Sequence, residues 1–114
     1  MRFVSINKKD GVVVLTPKKD LVGGDETDQL LEVINQLDEE GSMCLIVNLS
    51  KVGLMSSMGL DTLIVGRRKF LQRDAKMKLC NLKERHVQLL AVIHLAQWFD
   101  IYDNEDQAVT SCAS

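Results

Sequence analysis

The sequence predicts an α/β fold, a small mixed sheet of four to five strands with helices packed on it, in the order ββαβαβαβα. Three observations lead there. The nearly unbroken apolar run Met43-Cys44-Leu45-Ile46-Val47 suits a strand covered on both faces, and such strands belong to parallel sheets flanked by helices. Segments with the apolar period of a helix alternate with short β-branched runs on either side of it. Near the start, Asp10-Gly11 separates two such runs and adds an antiparallel hairpin to the parallel part.

Phe3, Val4 and Ile6 form the first strand and Val12 to Leu15 the second, joined through Asn7 to Gly11. Pro17 closes the second strand because it brings no N–H to a ladder, and Lys18 to Gly24 follows as a loop. Asp25 or Thr27 is placed to cap a helix whose Leu30, Val33, Ile34 and Leu37 recur at i, i+3, i+4 and i+7. Asp28, Gln29, Glu32, Gln36 and Glu39 take its water side, and Gly41 ends it. The Met43 to Val47 strand comes next, at the expected centre of the sheet. Asn48 to Gly53 leads from it into Leu54-Met55-Ser56-Ser57-Met58-Gly59-Leu60, a strand-to-helix junction.

The helix from about Ser57 to Arg73 carries Leu60, Leu63, Ile64, Phe70 and Leu71 on its apolar stripe. Arg67, Arg68, Lys69 and Arg73 gather toward its end, where cations favour the macrodipole. Met77 to Cys80 is a short strand. Leu82 to about Ile93 is a helix with Val87, Leu90 and Ile93 inward, Ile101-Tyr102 a brief last strand, and Asn104 to Val109 a terminal helix. Each β-α-β crossover is expected to be right-handed.

A chain of 114 residues is expected to form one domain over residues 1–114, with a core of Leu, Ile and Val because aromatic residues make up only 4%. A net charge of −2 with dispersed Lys and Arg leaves no footprint for a nucleic-acid backbone. No run approaches the roughly 18 apolar residues of a membrane span, and the N-terminal stretch has no signal-peptide core. Cys44, Cys80 and Cys112 are odd in number and lack CxxC or His spacing for zinc. Cys44 and Cys80 are expected as small buried residues in strands and Cys112 as a tail thiol, in a reducing cytoplasm.

No catalytic constellation emerges, so neither an enzyme nor a metal or cofactor site is expected. His86 and His94 have no acid or Cys in register, and Ser57 lacks the Gly-x-Ser-x-Gly elbow of a hydrolase. Gly23-Gly24 makes no phosphate-binding loop, and Arg67-Arg68-Lys69 reads as a solvated helix end.

The junction carries the chemistry. Ser56 and Ser57 stand where a helix exposes unpaired N–H groups, so either can cap it and either can be covalently modified. A phosphate on Ser57 would bring nearly two negative charges and three strong acceptors to the positive end of a helix. Such a group need not unfold anything; it breaks a protein contact by placing charge in an apolar or acidic surface. Thr62 is a third hydroxyl nearby, and Asp61 in the first turn would oppose a phosphate on Ser57. Met55 and Met58 suit an adaptable partner patch, or else burial under the helix start. Gly59, without a Cβ, would let a partner approach closely. The loop Lys18 to Gly24 is expected near the same end of the sheet.

From Arg2 to Val109 the chain resembles the STAS domain, the fold of bacterial anti-sigma-factor antagonists. The likeness rests on Asn48-Leu49-Ser50, where the family has a strand ending in Asp-Leu-Ser. It rests also on Ser56-Ser57-Met58-Gly59-Leu60, where the family has an Asp-Ser-Ser-Gly-Leu type junction. Phe99-Asp100-Ile101-Tyr102-Asp103 with Glu105-Asp106-Gln107-Ala108 matches the closing strand and helix. The resemblance implies a phosphorylation-controlled binding module whose unphosphorylated form sequesters a serine-kinase anti-sigma factor, a cognate phosphatase resetting it. The phosphoacceptor then falls on Ser57, with Ser56 the alternative; Ser56 replaces the family's acid, Met58 its second serine, and Gly59 keeps the glycine. Met55, Ser56, Met58, Gly59 and Asp61 are the expected partner-binding residues. The alternative function is a STAS adaptor without phosphorylation, docking on another protein such as a transporter ATPase. An enzyme or small-molecule binder on a similar scaffold ranks third, and both monomer and dimer stay open.

Overall fold

Asp10 and Gly11 adopt φ of 50° and 80°, the left-handed pair that a two-residue hairpin turn of type I′ requires. They join β1 (Val4–Lys9) to β2 (Val12–Pro17) as an antiparallel pair in which Val4 faces Pro17 and Lys9 faces Val12. The computed structural model describes residues 3–92 and 98–112. Next come α1 (Asp25–Glu39), β3 (Cys44–Asn48), α2 (Ser57–Leu71) and β4 (Lys76–Cys80), then α3 (Glu84–Val92), β5 (Asp100–Tyr102) and α4 (Glu105–Cys112). Among the described residues the strands form one five-stranded sheet ordered β1-β2-β3-β4-β5, parallel from β2 to β5. The element order and the mixed sheet are those expected. At the centre, β3 is buried along its whole length, as an apolar run covered on both faces must be.

Alternation along the strands divides the interior in two. Val13, Leu15, Leu45, Val47, Met77 and Leu79 meet Leu30, Val33, Ile34 and Leu37 of α1, and Leu60, Leu63 and Phe70 of α2, in the main core. On the opposite face Val12, Val14, Cys44, Ile46 and Cys80 pack with Ala108 of α4.

Several local expectations are corrected. The α1 N-cap is Gly24, not Asp25 or Thr27; Asp25 is already helical, and the buried Thr27 turns its hydroxyl back to accept from Gly23 N–H at 2.9 Å. Leu71 and Val87 are exposed rather than inward, because Phe70 fills the last core position of α2 while His86 and Leu90 take the inner positions of α3. Ile93 and His94 lie outside the described residues. α4 runs on to Cys112, which forms a disulfide with Cys44, so Cys112 is no tail thiol and three free thiols no longer argue for a reducing compartment. Cys80 stays free and buried in β4; burial, and then the charge of Glu105, push its thiol up to about 12, so it is protonated and inert at neutral pH. Among the described residues no helix is long and apolar enough to cross a membrane.

Candidate functional site

Because β2 and β3 are parallel, the loops that leave their C-terminal ends lie side by side. An isolated parallel bridge pairs Leu21 with Met55. Leu21 N–H donates to the Leu54 carbonyl and Ser56 N–H to the Leu21 carbonyl, both at 2.9 Å. Asp20 adds its carboxylate, whose Oδ1 accepts from Gly53 N–H at 3.2 Å and Leu54 N–H at 3.0 Å. The loop Lys18 to Gly24 is therefore a template for the junction, at the end of the sheet where it was expected.

Two side chains at the start of α3 brace the junction from its other side. The Lys83 ammonium donates to the carbonyls of Leu49, Ser50 and Val52 at 3.3, 2.8 and 2.6 Å. His86, only 1% exposed, accepts from Lys83 N–H at Nδ1 (3.1 Å) and donates from Nε2 to the Gly53 carbonyl (2.8 Å). That pattern needs the neutral imidazole protonated on Nε2. Burial is the main reason its pKa lies below the ordinary 6.5, with the charges of Lys83 and Arg85 adding and the Gly53 bond opposing. The depressed value makes the unfolded chain the better proton acceptor. His86 thus contributes stability that is complete above about pH 6.5 and is lost as pH falls below it, by up to about 1.4 kcal/mol per pH unit. Denaturant titrations across that range should show the loss in the natural protein and a flatter profile in His86→Gln; parallel profiles would refute the linkage.

Helix α2 begins on this braced platform. Ser56 is its N-cap, in extended backbone at φ −89° and ψ 174°, with Oγ accepting from Gly59 N–H at 3.4 Å. Such a cap is worth about 1 kcal/mol. Ser57, the first helical residue, is exposed, and among the described residues its hydroxyl has no hydrogen-bond partner. The two hydroxyls therefore differ in situation: Ser56 does the capping and Ser57 projects into water. Aspartate is as good a cap as serine, so Ser56 retains that function while removing a charge next to Ser57. Asn48 has a comparable explanation. Its side chain accepts from Ser50 N–H at 2.9 Å and donates to Glu105 Oε1 at 3.0 Å, where an aspartate would set two carboxylates face to face.

Other expected partner residues fall into two groups. Met58 and Asp61 are exposed, Met58 by 59% with its thioether lying over Gly23. Met55 and Gly59 are buried, so for Met55 the expected alternative of burial under the helix start holds, and Gly59 offers no open surface to a partner. Met55 is drawn inward by the bridge to Leu21. At Gly59 a Cβ would stand 2.2 Å from the Leu21 carbonyl oxygen, so the glycine serves the chain's own loop rather than a visiting partner. Thr62 is also buried and donates to the Met58 carbonyl at 3.5 Å, which removes it as an acceptor of modification.

Val22 and Leu54, exposed by 45% and 56%, were missed by the sequence reading. With Met58 in the first turn of α2, they place three large exposed apolar side chains on the bridged segments and the helix start. The available signal was an apolar residue inside a loop of glycines and charges. Lys83 and His86 gave no comparable signal, because their bonds go to main-chain carbonyls some thirty positions away in sequence.

The family model of the STAS domain matches residues 3–108. No match was found among curated proteins. An anti-sigma factor antagonist from Mycobacterium paratuberculosis superposes with a TM-score of 0.86 at 20% identity, covering 97% of this chain and 93% of that one. The Bacillus cell fate determinant SpoIIAA in its phosphorylated form gives 0.76 at 16% identity, covering 96% and 98%. A sulfate transporter family protein from Wolinella succinogenes gives 0.79 at 18% identity, covering 90% and 85%. At such identities the likeness is one of fold.

Proposed function

The chain belongs to the STAS domain family, and from that premise we propose that it is an anti-sigma-factor antagonist, a binding module switched by phosphorylation of Ser57. The unphosphorylated form binds and sequesters a serine-kinase anti-sigma factor in the cytoplasm, the kinase modifies Ser57, and a cognate phosphatase restores binding. The protein itself catalyses no reaction.

One observation carries this reading: the Ser57 hydroxyl is exposed and, among the described residues, unpartnered at the head of α2, with the exposed Val22, Leu54 and Met58 on the bridged segments next to it. Since Ser56 holds the helix start, modification of Ser57 leaves the fold intact and changes only the surface. Exposed apolar side chains beside a switchable charge suit a partner interface, because a phosphate desolvated there without a cation opposes binding by several kcal/mol. Asp61, four residues on and exposed, adds to the local negative potential once the phosphate is present.

The test is to co-express the chain with the serine-kinase anti-sigma factors of its source cell and read the intact mass. A single added phosphate is expected on the natural chain and none on Ser57→Ala. Equal labelling of Ser57→Ala would move the site to Ser56. Absence of labelling, with recovery of a transport protein in a pull-down, would favour the adaptor reading, which the likeness to a sulfate transporter family protein supports.

A further inference from the structure

We propose that the far end of α2 carries a second docking surface, for an acidic amphipathic segment of a partner protein. Ile64, Arg67, Arg68, Leu71, Gln72 and Trp98 line a groove of about 260 Å³ between that helix and the chain entering β5. Leu71 and Trp98 expose 45% and 46% of their surface, large fractions for side chains of this kind. Their apolar area is bordered by two guanidinium groups. Arg67 lies over the Phe99 ring, 5.8 Å from its centroid, which holds the group in place and leaves its N–H edges open. Among the described residues neither the Arg67 nor the Arg68 guanidinium has a carboxylate within ion-pairing distance or donates a hydrogen bond.

Those features specify the occupant. Arginine and tryptophan are the residues on which protein interfaces most depend, and a guanidinium pair beside an apolar strip asks for carboxylates beside apolar side chains. The volume falls below the roughly 300–1,000 Å³ of small-molecule sites, so it fits one or two side chains of a peptide better than a whole ligand. Positive charge at the end of α2 also agrees with the helix dipole, so the arginines are retained there without an internal acid to balance them. The arginines and Leu71 lie about 15–21 Å along the helix from Ser57, far enough that both surfaces can be occupied together. This surface does not depend on the phosphoswitch.

Trp98 is the single tryptophan of the chain, so its fluorescence reports the groove directly. The probe is a synthetic helical peptide with Leu and Phe on one face and Glu flanking them. Titration should give a saturable blue shift of Trp98 emission that weakens with added salt. Arg68→Glu, at an exposed position, should bind the peptide at least tenfold more weakly, while Ser57→Asp should bind it as the natural protein does. Absence of a shift, an equal response to the same peptide with Lys for Glu, or unaltered affinity in Arg68→Glu overturns the proposal. So does tighter binding of dodecanoate than of the peptide, which would make the groove a site for small amphiphilic anions.

Discussion

Ser57→Asp is expected to weaken binding of the serine-kinase partner roughly 100-fold, about 2.7 kcal/mol, while leaving the unfolding free energy within about 0.5 kcal/mol of the natural protein. The small effect on stability follows from the exposure of Ser57 and from the division of labour with Ser56, whose Oγ makes the cap. A carboxylate in the first turn of a helix is even mildly favourable there. The large effect on binding follows from the surroundings. Val22, Leu54 and Met58 carry no charge themselves, so a complex that covers them with apolar partner groups must strip water from the new carboxylate. Calorimetric titration of partner into Ser57→Asp and Ser57→Ala measures the difference, since the alanine removes the hydroxyl without adding charge. Equal affinities for the two variants would sink the switch.

Gly59→Ala should lower the unfolding free energy by about 2–3 kcal/mol, opposite in sign to the usual effect of filling a helical glycine. Replacing glycine by alanine within a helix ordinarily gains about 1 kcal/mol. Here the added methyl would stand 2.2 Å from the Leu21 carbonyl oxygen and 2.8 Å from the Leu21 Cβ. That carbonyl is held by Ser56 N–H at 2.9 Å, so it cannot retreat without breaking the tie between the two loops. The steric term therefore wins. Equilibrium denaturation of the variant checks this, and a variant as stable as the natural chain would show that the loop gives way freely.

Local chemistry made much of the fold legible. Asp10-Gly11 specified its turn, Leu30 to Leu37 specified the buried face of α1, and the apolar run around Ile46 specified the central strand, because each pattern is set by neighbours in sequence. The junction was legible for the same reason: an apolar strand, two hydroxyls and an amphipathic run stand in one short stretch. What escaped depends on distant partners. Gly59 is glycine because of Leu21, Met55 is inward because of the same residue, and His86 is buried because Gly53 offers it a carbonyl. Nothing in the vicinity of these residues in sequence announces a contact more than thirty positions away. Gly24 displaced Asp25 as the cap of α1 for a local reason instead, since the Thr27 hydroxyl is committed to Gly23 N–H four residues back and the chain enters the helix one residue earlier. The helical period that points Leu71 and Val87 inward tells which residues share a face but not where the core stops.

Lys83 gives the junction a property of its own. Three main-chain carbonyls, from Leu49, Ser50 and Val52, converge on its ammonium much as oxygens converge on a bound cation. The positive charge is tethered to the chain, so the bend it organises needs no ion from solution and stays formed whatever the calcium or magnesium supply. The switch proposed for Ser57 would then rest on a junction whose geometry is set by the chain's own charge.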